Sequence, residues 1–188
     1  MRIFIGIKLD TAAVDQVEKF LKLFKKKASP IRWVNVTNIH ITLKFLGEIP
    51  DTQYPQIEKA IIDAATTLNP GAMDLTLSGC GKFGPKSALN IFWIGTGTHP
   101  ALINLYQTID KTLIRFGIPA EDRPFTPHIT VGRNKKEFNF KSLYELMDQY
   151  RHEKIADMHV THFQIFSSRL TPDGPIYTIL KEIPLAHP

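Results

Sequence analysis

The first nine residues alternate: Ile3, Ile5, Ile7 and Leu9 fall on one face of an extended chain, and Phe4, Gly6 and Lys8 on the other. A half-buried strand follows from that period of two. Asp10 or Thr11 can then cap a helix whose apolar stripe is Val14, Val17, Leu21 and Phe24, with Phe20 beside it. Ser29-Pro30 ends it. Ile31 to Val34 and Ile39 to Phe45 read as strands, and Gly47 to Thr52 as a turn region. A second helix carries Ile57, Ala60, Ile61, Ala64 and Leu68 inside and stops at Asn69-Pro70-Gly71. Strands are expected near 72–79 and 88–94, the second marked by Leu89, Ile91 and Trp93, with a loop over residues 81–86. Thr98 and Pro100 open a third helix that buries Leu102, Leu105, Ile109, Leu113 and Phe116 and ends at Gly117. His128 to Gly132 reads as a strand. Leu143, Leu146, Met147 and Tyr150 mark a short helix, and closing strands are expected at about 156–166 and 176–183. This order lacks regular β-α-β spacing, so the fold class is α+β with largely antiparallel sheets.

Within that pattern one feature repeats. His40-Ile41-Thr42-Leu43 recurs as His128-Ile129-Thr130-Val131, one copy in each half of the 188-residue chain. There is no short repeat period, so this is a duplication of two lobes rather than a solenoid. Strand alternation puts His40 and Thr42 on one face, and Ile39, Ile41, Leu43 and Phe45 on the opposite, buried face. The second copy behaves alike, with Ile129 and Val131 inward. A pseudo-two-fold relation between lobes would let the two polar faces meet across a cleft.

Two imidazoles and two hydroxyls facing one cleft suit phosphodiester chemistry. An imidazole pKa of about 6.5 allows one neutral and one protonated His to coexist near neutrality. General acid–base help contributes ~10²–10⁴-fold, and Thr42 and Thr130 can donate to non-bridging phosphate oxygens. A metal centre would need a third ligand, and no Asp, Glu, Cys or further His stands at ligand spacing within either motif. His159 and His162, an odd number apart in one expected strand, read as structural. Arg133 falls on the inward parity with Ile129 and Val131, unless Gly132 marks a bulge that re-aims it. Pro127 pre-sets the backbone before His128. Phe4, Trp33 and Phe125 are each either stacking faces for a base or ordinary packing.

Composition changes the picture little. A hydrophobic fraction of 43% with 12 Phe can fill a core. The single cysteine, Cys80, excludes an internal disulfide and a thiolate metal site of its own. A net charge of +5 agrees with an anionic partner such as RNA, and the lysines at 19, 22, 25, 26 and 27 are either a solvated helix face or an RNA contact. No apolar run approaches the ~20 residues of a membrane span, and the opening segment is too short for a signal peptide. A cytoplasmic location and no membrane partner are expected.

The chain resembles the RNA 2′,3′-cyclic phosphodiesterases, also called 2′-5′ RNA ligases, of the 2H phosphoesterase superfamily. The resemblance rests on Arg2-Ile3-Phe4-Ile5-Gly6-Ile7, on His40 to Gly47, on Pro124-Phe125-Thr126-Pro127-His128 through Arg133, and on Phe166 to Leu170 with Gly174 to Tyr177. It implies a single bilobal domain over residues 1–188: two pseudo-symmetric lobes, each an antiparallel sheet with helices on its outer face, around a cleft carrying both His-x-Thr motifs. It implies hydrolysis of cyclic ends to a 2′-phosphate without metal or cofactor, and reversible 2′-5′ ligation of tRNA halves. His40 is then the acid and His128 the base, both catalytic, with Thr42, Thr130 and Arg133 binding substrate. The expected partner is RNA with a 2′,3′-cyclic phosphate end, tRNA fragments among them, met by a monomer. The alternatives are a relative acting on 2′-5′ oligoadenylate or another cyclic phosphodiester, and a non-enzymatic RNA-end binding protein.

Overall fold

The computed structural model describes residues 1–26, 31–84, 91–134, 141–172 and 174–186. Nine strands form one antiparallel sheet: β1 (Arg2–Lys8), β2 (Arg32–Trp33), β3 (His40–Glu48), β4 (Met73–Phe83), β5 (Ile91–Thr96), β6 (His128–Arg133), β7 (Lys154–Val160), β8 (His162–Thr171) and β9 (Gly174–Pro184). Their spatial order is β7-β4-β5-β6-β3-β1-β8-β9, with β2 added against β6. Among the described residues there are four α-helices: α1 (Thr11–Lys25), α2 (Tyr54–Leu68), α3 (Pro100–Ile114) and α4 (Lys141–Gln149). No described helix is long and apolar enough to cross a membrane.

The sheet divides into two four-stranded wings joined at β3 and β6, where Ile41 pairs with Ile129. These are equivalent positions of the two His-x-Thr motifs, so an approximate two-fold axis runs between the motifs themselves. The α+β class and antiparallel pairing expected from the sequence are those observed. The wings are not simply the two halves of the chain, however. The C-terminal hairpin β8–β9 returns to flank β1, while β4 from the first half pairs with β5 and β7.

Helices pack on the face opposite the motifs: α2 and α3 over β3 and β9, α1 over β7, and α4 over β4. Asp10, rather than Thr11, caps α1 by accepting from Ala13 N at 2.8 Å. Phe24 of α1 meets Phe92 of β5 with ring centroids 5.1 Å apart, and Phe92 is fully buried. The α1 lysines at 19, 22, 25 and 26 are therefore held on the far side of the sheet from the histidines. Ile3, Ile5, Ile7, Ile41, Ile129 and Val131 supply the sheet's side of the core.

Several boundaries differ from expectation. Residues 81–83 continue β4 instead of forming a loop, because Gly81, Lys82 and Phe83 pair with Trp93, Phe92 and Ile91. The strand expected at 88–94 is observed over 91–96, and Leu89 lies outside the described residues, as do Lys27 and Ser29-Pro30. His99, not Thr98, caps α3, its Nδ1 accepting from Ala101 N at 3.3 Å. The single strand expected near 156–166 is two, β7 and β8, parted at Thr161 because they pair in different wings. His159 and His162 therefore stand on different strands. His159 Nδ1 is 2.7 Å from Asp74 Oδ1 on the β4–β7 ladder, and His162 Nδ1 is 2.8 Å from Thr161 Oγ1.

Candidate active site

Both motifs sit at the wing junction, each half-buried at His and Thr and fully buried at the residue between. Carrying the Ile41–Ile129 register one residue either way sets His40 against Thr130 and Thr42 against His128. Each imidazole is thus matched with the other motif's hydroxyl, on the face turned away from the helices.

The two rings are held alike. His40 Nδ1 lies 2.7 Å from the carbonyl oxygen of Asn38, and His128 Nδ1 lies 2.7 Å from that of Thr126. A carbonyl only accepts, so each Nδ1 carries the proton and each Nε2 is left for chemistry. Asn38 is itself fixed by its side-chain amide donating to Pro175 O at 2.8 Å. On the second motif, Pro127 O accepts from Thr96 N at 3.1 Å, which sets the approach to His128.

Aromatic walls back both histidines. His40 is 4.7 Å from the Phe4 ring and meets Tyr177 edge-on at 5.3 Å. Gly6 makes room for it, since a Cβ there would stand 3.2 Å from His40 Cδ2 and 2.7 Å from Ile41 O. His128 meets Phe83 edge-on at 4.9 Å, with Trp93 at 6.4 Å. Burial lowers the His40 pKa; the Asn38 carbonyl opposes this, and the positive charges of Arg133 and His128 lower it further.

One structural device changes the strand parity in both wings. In the β1–β3 ladder Ile5 faces Lys44 and Gly6 faces Thr42, so Leu43 is an extra residue. In the β5–β6 ladder Phe92 faces Gly132 and Trp93 faces Thr130, so Val131 is extra. Such bulges put two residues against one and reverse the alternation beyond them. Beyond the second bulge Arg133 returns to the face of His128 and Thr130, where it is exposed. Beyond the first, Phe45 is 57% exposed rather than buried as expected, and Lys44 is buried at 2% instead.

Lys44 projects from the helix-side face of β3 toward α3. Its Nζ donates to Asp110 Oδ1 at 2.6 Å, Pro119 O at 2.7 Å and Glu121 Oε1 at 3.2 Å. Burial opposes its charge, but Asp110 and Glu121 outweigh that and raise its pKa. Sequence reasoning passed over this residue. Its signal was a lysine inside an otherwise apolar strand, legible only once the bulge is known.

The remaining aromatic candidates resolve by contact. Phe4 is 2% exposed and stacks on Phe166 at 4.8 Å, forming the floor beneath His40. Trp33 packs edge-on against Phe92, and Phe125 stacks on Tyr106 at 4.1 Å. Burial pushes the Cys80 thiol up to about 12, with Asp148 adding to it, so it stays protonated. Among the described residues no cluster of three or more His, Cys, Asp or Glu is placed to hold a metal ion.

The chain has known relatives. The profile of the 2′-5′ RNA ligase superfamily matches residues 9–171. A protein of Methanocaldococcus jannaschii named RNA 2′,3′-cyclic phosphodiesterase is 31% identical over 182 residues, covering 97% of this chain and 99% of that one. One of the same name from Thermotoga maritima is 30% identical, covering 97% and 94%. Among solved structures, E. coli LigT complexed with 3′-AMP superposes with a TM-score of 0.76 at 26% identity, covering 99% of this chain and 98% of that one. The chain belongs to the 2′-5′ RNA ligase superfamily.

Proposed function

We propose that the protein hydrolyses the 2′,3′-cyclic phosphate end of RNA to a 2′-phosphate, with His40 and His128 as acid and base. The observation that carries this reading is the matched locking of both Nδ1 atoms, which leaves two Nε2 atoms on one face with two threonine hydroxyls. Water attacks phosphorus as His128 Nε2 takes its proton. The P–O3′ bond breaks as His40 Nε2 gives a proton to the departing O3′, and the P–O2′ bond stays. Thr42, Thr130 and Arg133 hold the non-bridging oxygens, whose charge grows toward the transition state. A ribose 5′-hydroxyl in place of that water gives a 2′-5′ link, the ligation of RNA halves, by the same proton movements.

The electrostatics add a condition. In the free protein burial, Arg133 and His128 favour neutral His40. A bound phosphate anion offsets the positive charge of Arg133, so the acid acquires its proton along with the substrate. An NMR titration of the free protein is expected to give a His40 pKa below 6.5, rising on addition of a 2′-nucleotide. Arg133→Ala removes a nearby cation and should raise the free value. A His40 pKa unaffected by both changes would contradict this coupling.

The function itself is tested with an oligoribonucleotide ending in a 2′,3′-cyclic phosphate, incubated in EDTA. The expected product is the 2′-phosphate. A 3′-phosphate would refute the bond assignment, loss of turnover on chelation would refute the metal-free mechanism, and tight binding without turnover would favour an RNA-end binding protein.

A further inference from the structure

The two wings are built alike around their motifs yet differ in character at the exposed position just beyond each bulge. Phe45 faces Phe4 just beyond the first bulge, and Arg133 faces Ile91 just beyond the second. The second wing thus carries a cation where the first carries an exposed aromatic ring. Phe45 is 57% exposed, against 2% for Phe4 beneath it, with ring centroids 5.9 Å apart. Phe45 therefore offers an open ring face that continues the aromatic floor of Phe4 under His40.

Cations lie next to it. Arg2 shares the β1 face of Phe4, and it lines an open groove of about 450 Å³ with Glu48, Ser168 and Arg169. Between groove and His40 stands Tyr177, opposite Ser168 and 4.9 Å from Phe4. Burial raises the Tyr177 pKa, while Arg133 on one side and Arg2 on the other act against it. Ring contacts lead from His40 through Phe4 to Phe45 and to Tyr177, and Arg2 lines the groove beside them. Flat aromatic faces interleaved with arginines fit single-stranded nucleic acid, whose bases stack and whose phosphates pair.

We propose that this surface is a subsite for the RNA strand on the 5′ side of the cyclic end, a base stacking on Phe45 and the next phosphodiester pairing with Arg2. The inference rests on the phosphodiesterase reading and adds to it a substrate class: an oligonucleotide end in preference to a cyclic mononucleotide. It also agrees with His40 as the acid, because the leaving ribose oxygen and the strand attached to it belong on the same side of the phosphate.

The test compares kcat/KM for a 2′,3′-cyclic mononucleotide and for a tetranucleotide ending in the same cyclic nucleotide. The unmodified protein should prefer the tetranucleotide. Phe45→Ala and Arg2→Ala should each lower kcat/KM for the tetranucleotide roughly tenfold, the scale of one lost base stack or charge pair, and leave the mononucleotide within about twofold. Phe45→Tyr should restore the preference, and Phe45→Leu, which keeps apolar cover over Phe4, should not. Arg2→Ala should also flatten the salt dependence of the tetranucleotide reaction alone. Equal losses on both substrates, or none, would overturn the subsite. Were neither substrate turned over by the unmodified protein, the phosphodiesterase reading would fail instead. Fluorescence anisotropy with the same tetranucleotide would then decide the subsite: weakened binding in Phe45→Ala sustains it, and unchanged or absent binding refutes it.

Discussion

Replacing His128 by Ala is expected to lower kcat on a 2′,3′-cyclic phosphate end by ~10²–10⁴-fold, and His40→Ala by a similar factor. Each imidazole is assigned one proton transfer in a single displacement, so removing either stops the concerted movement of both. The double replacement should cost little more than either single one, since the groups act as a unit. His128→Asn separates chemistry from packing. Its amide can still donate where Nδ1 donates to Thr126 O, while nothing replaces Nε2. A loss in His128→Asn as large as in His128→Ala therefore reports the Nε2 function. Affinity for a 2′-nucleotide, measured by calorimetry, should change far less than kcat. Activity within tenfold of the unmodified protein in both single alanine variants would remove the two-histidine mechanism.

The largest expected effect on stability comes from Lys44. Lys44→Met keeps the length and apolar stem of the side chain but withdraws the ammonium from Asp110, Pro119 O and Glu121. Asp110, itself buried, would be left with an unpaired carboxylate. Breaking a buried pair by removing one partner costs about 3–5 kcal/mol, well above the 0–1 kcal/mol of an exposed ion pair. Urea denaturation should show that loss as a lower midpoint, with Lys44→Arg intermediate. A change under about 1 kcal/mol would mean that the network adds nothing net. The position of the network ties stability to the site: Lys44 stands two residues after Thr42, and Pro119 and Glu121 begin the segment that leads to His128. Folded Lys44→Met should accordingly lose kcat as well, with His40 in place but His128 less well held.

Much of this was legible in the chain. The period of two at β1 and at the two motifs, the apolar stripes of α1 to α3, and the stop at Asn69, whose φ is 41°, are local preferences written in neighbouring residues. The duplicated His-x-Thr needed no partner strand to be recognised, because side-chain alternation alone gives each His a threonine on its own face. What failed, failed where pairing decides. Phe45 was expected inward and stands exposed. Arg133 was counted inward, with Gly132 as the one hint of a bulge, and reaches the face of the histidines. One strand became β7 and β8 because its two ends belong to different wings.

The sequence by itself determined the α+β class, the two motifs and the residues on either side of each motif strand, since these depend on backbone geometry that every extended chain shares. Only the tertiary structure decided that the motifs meet at Ile41 and Ile129, that Lys44 is buried and Phe45 exposed, and that Arg133 lies on the face of the histidines. Register and bulges are properties of two strands together. A single chain read along its length carries one side of each ladder, and the other side arrives from residues tens of positions away.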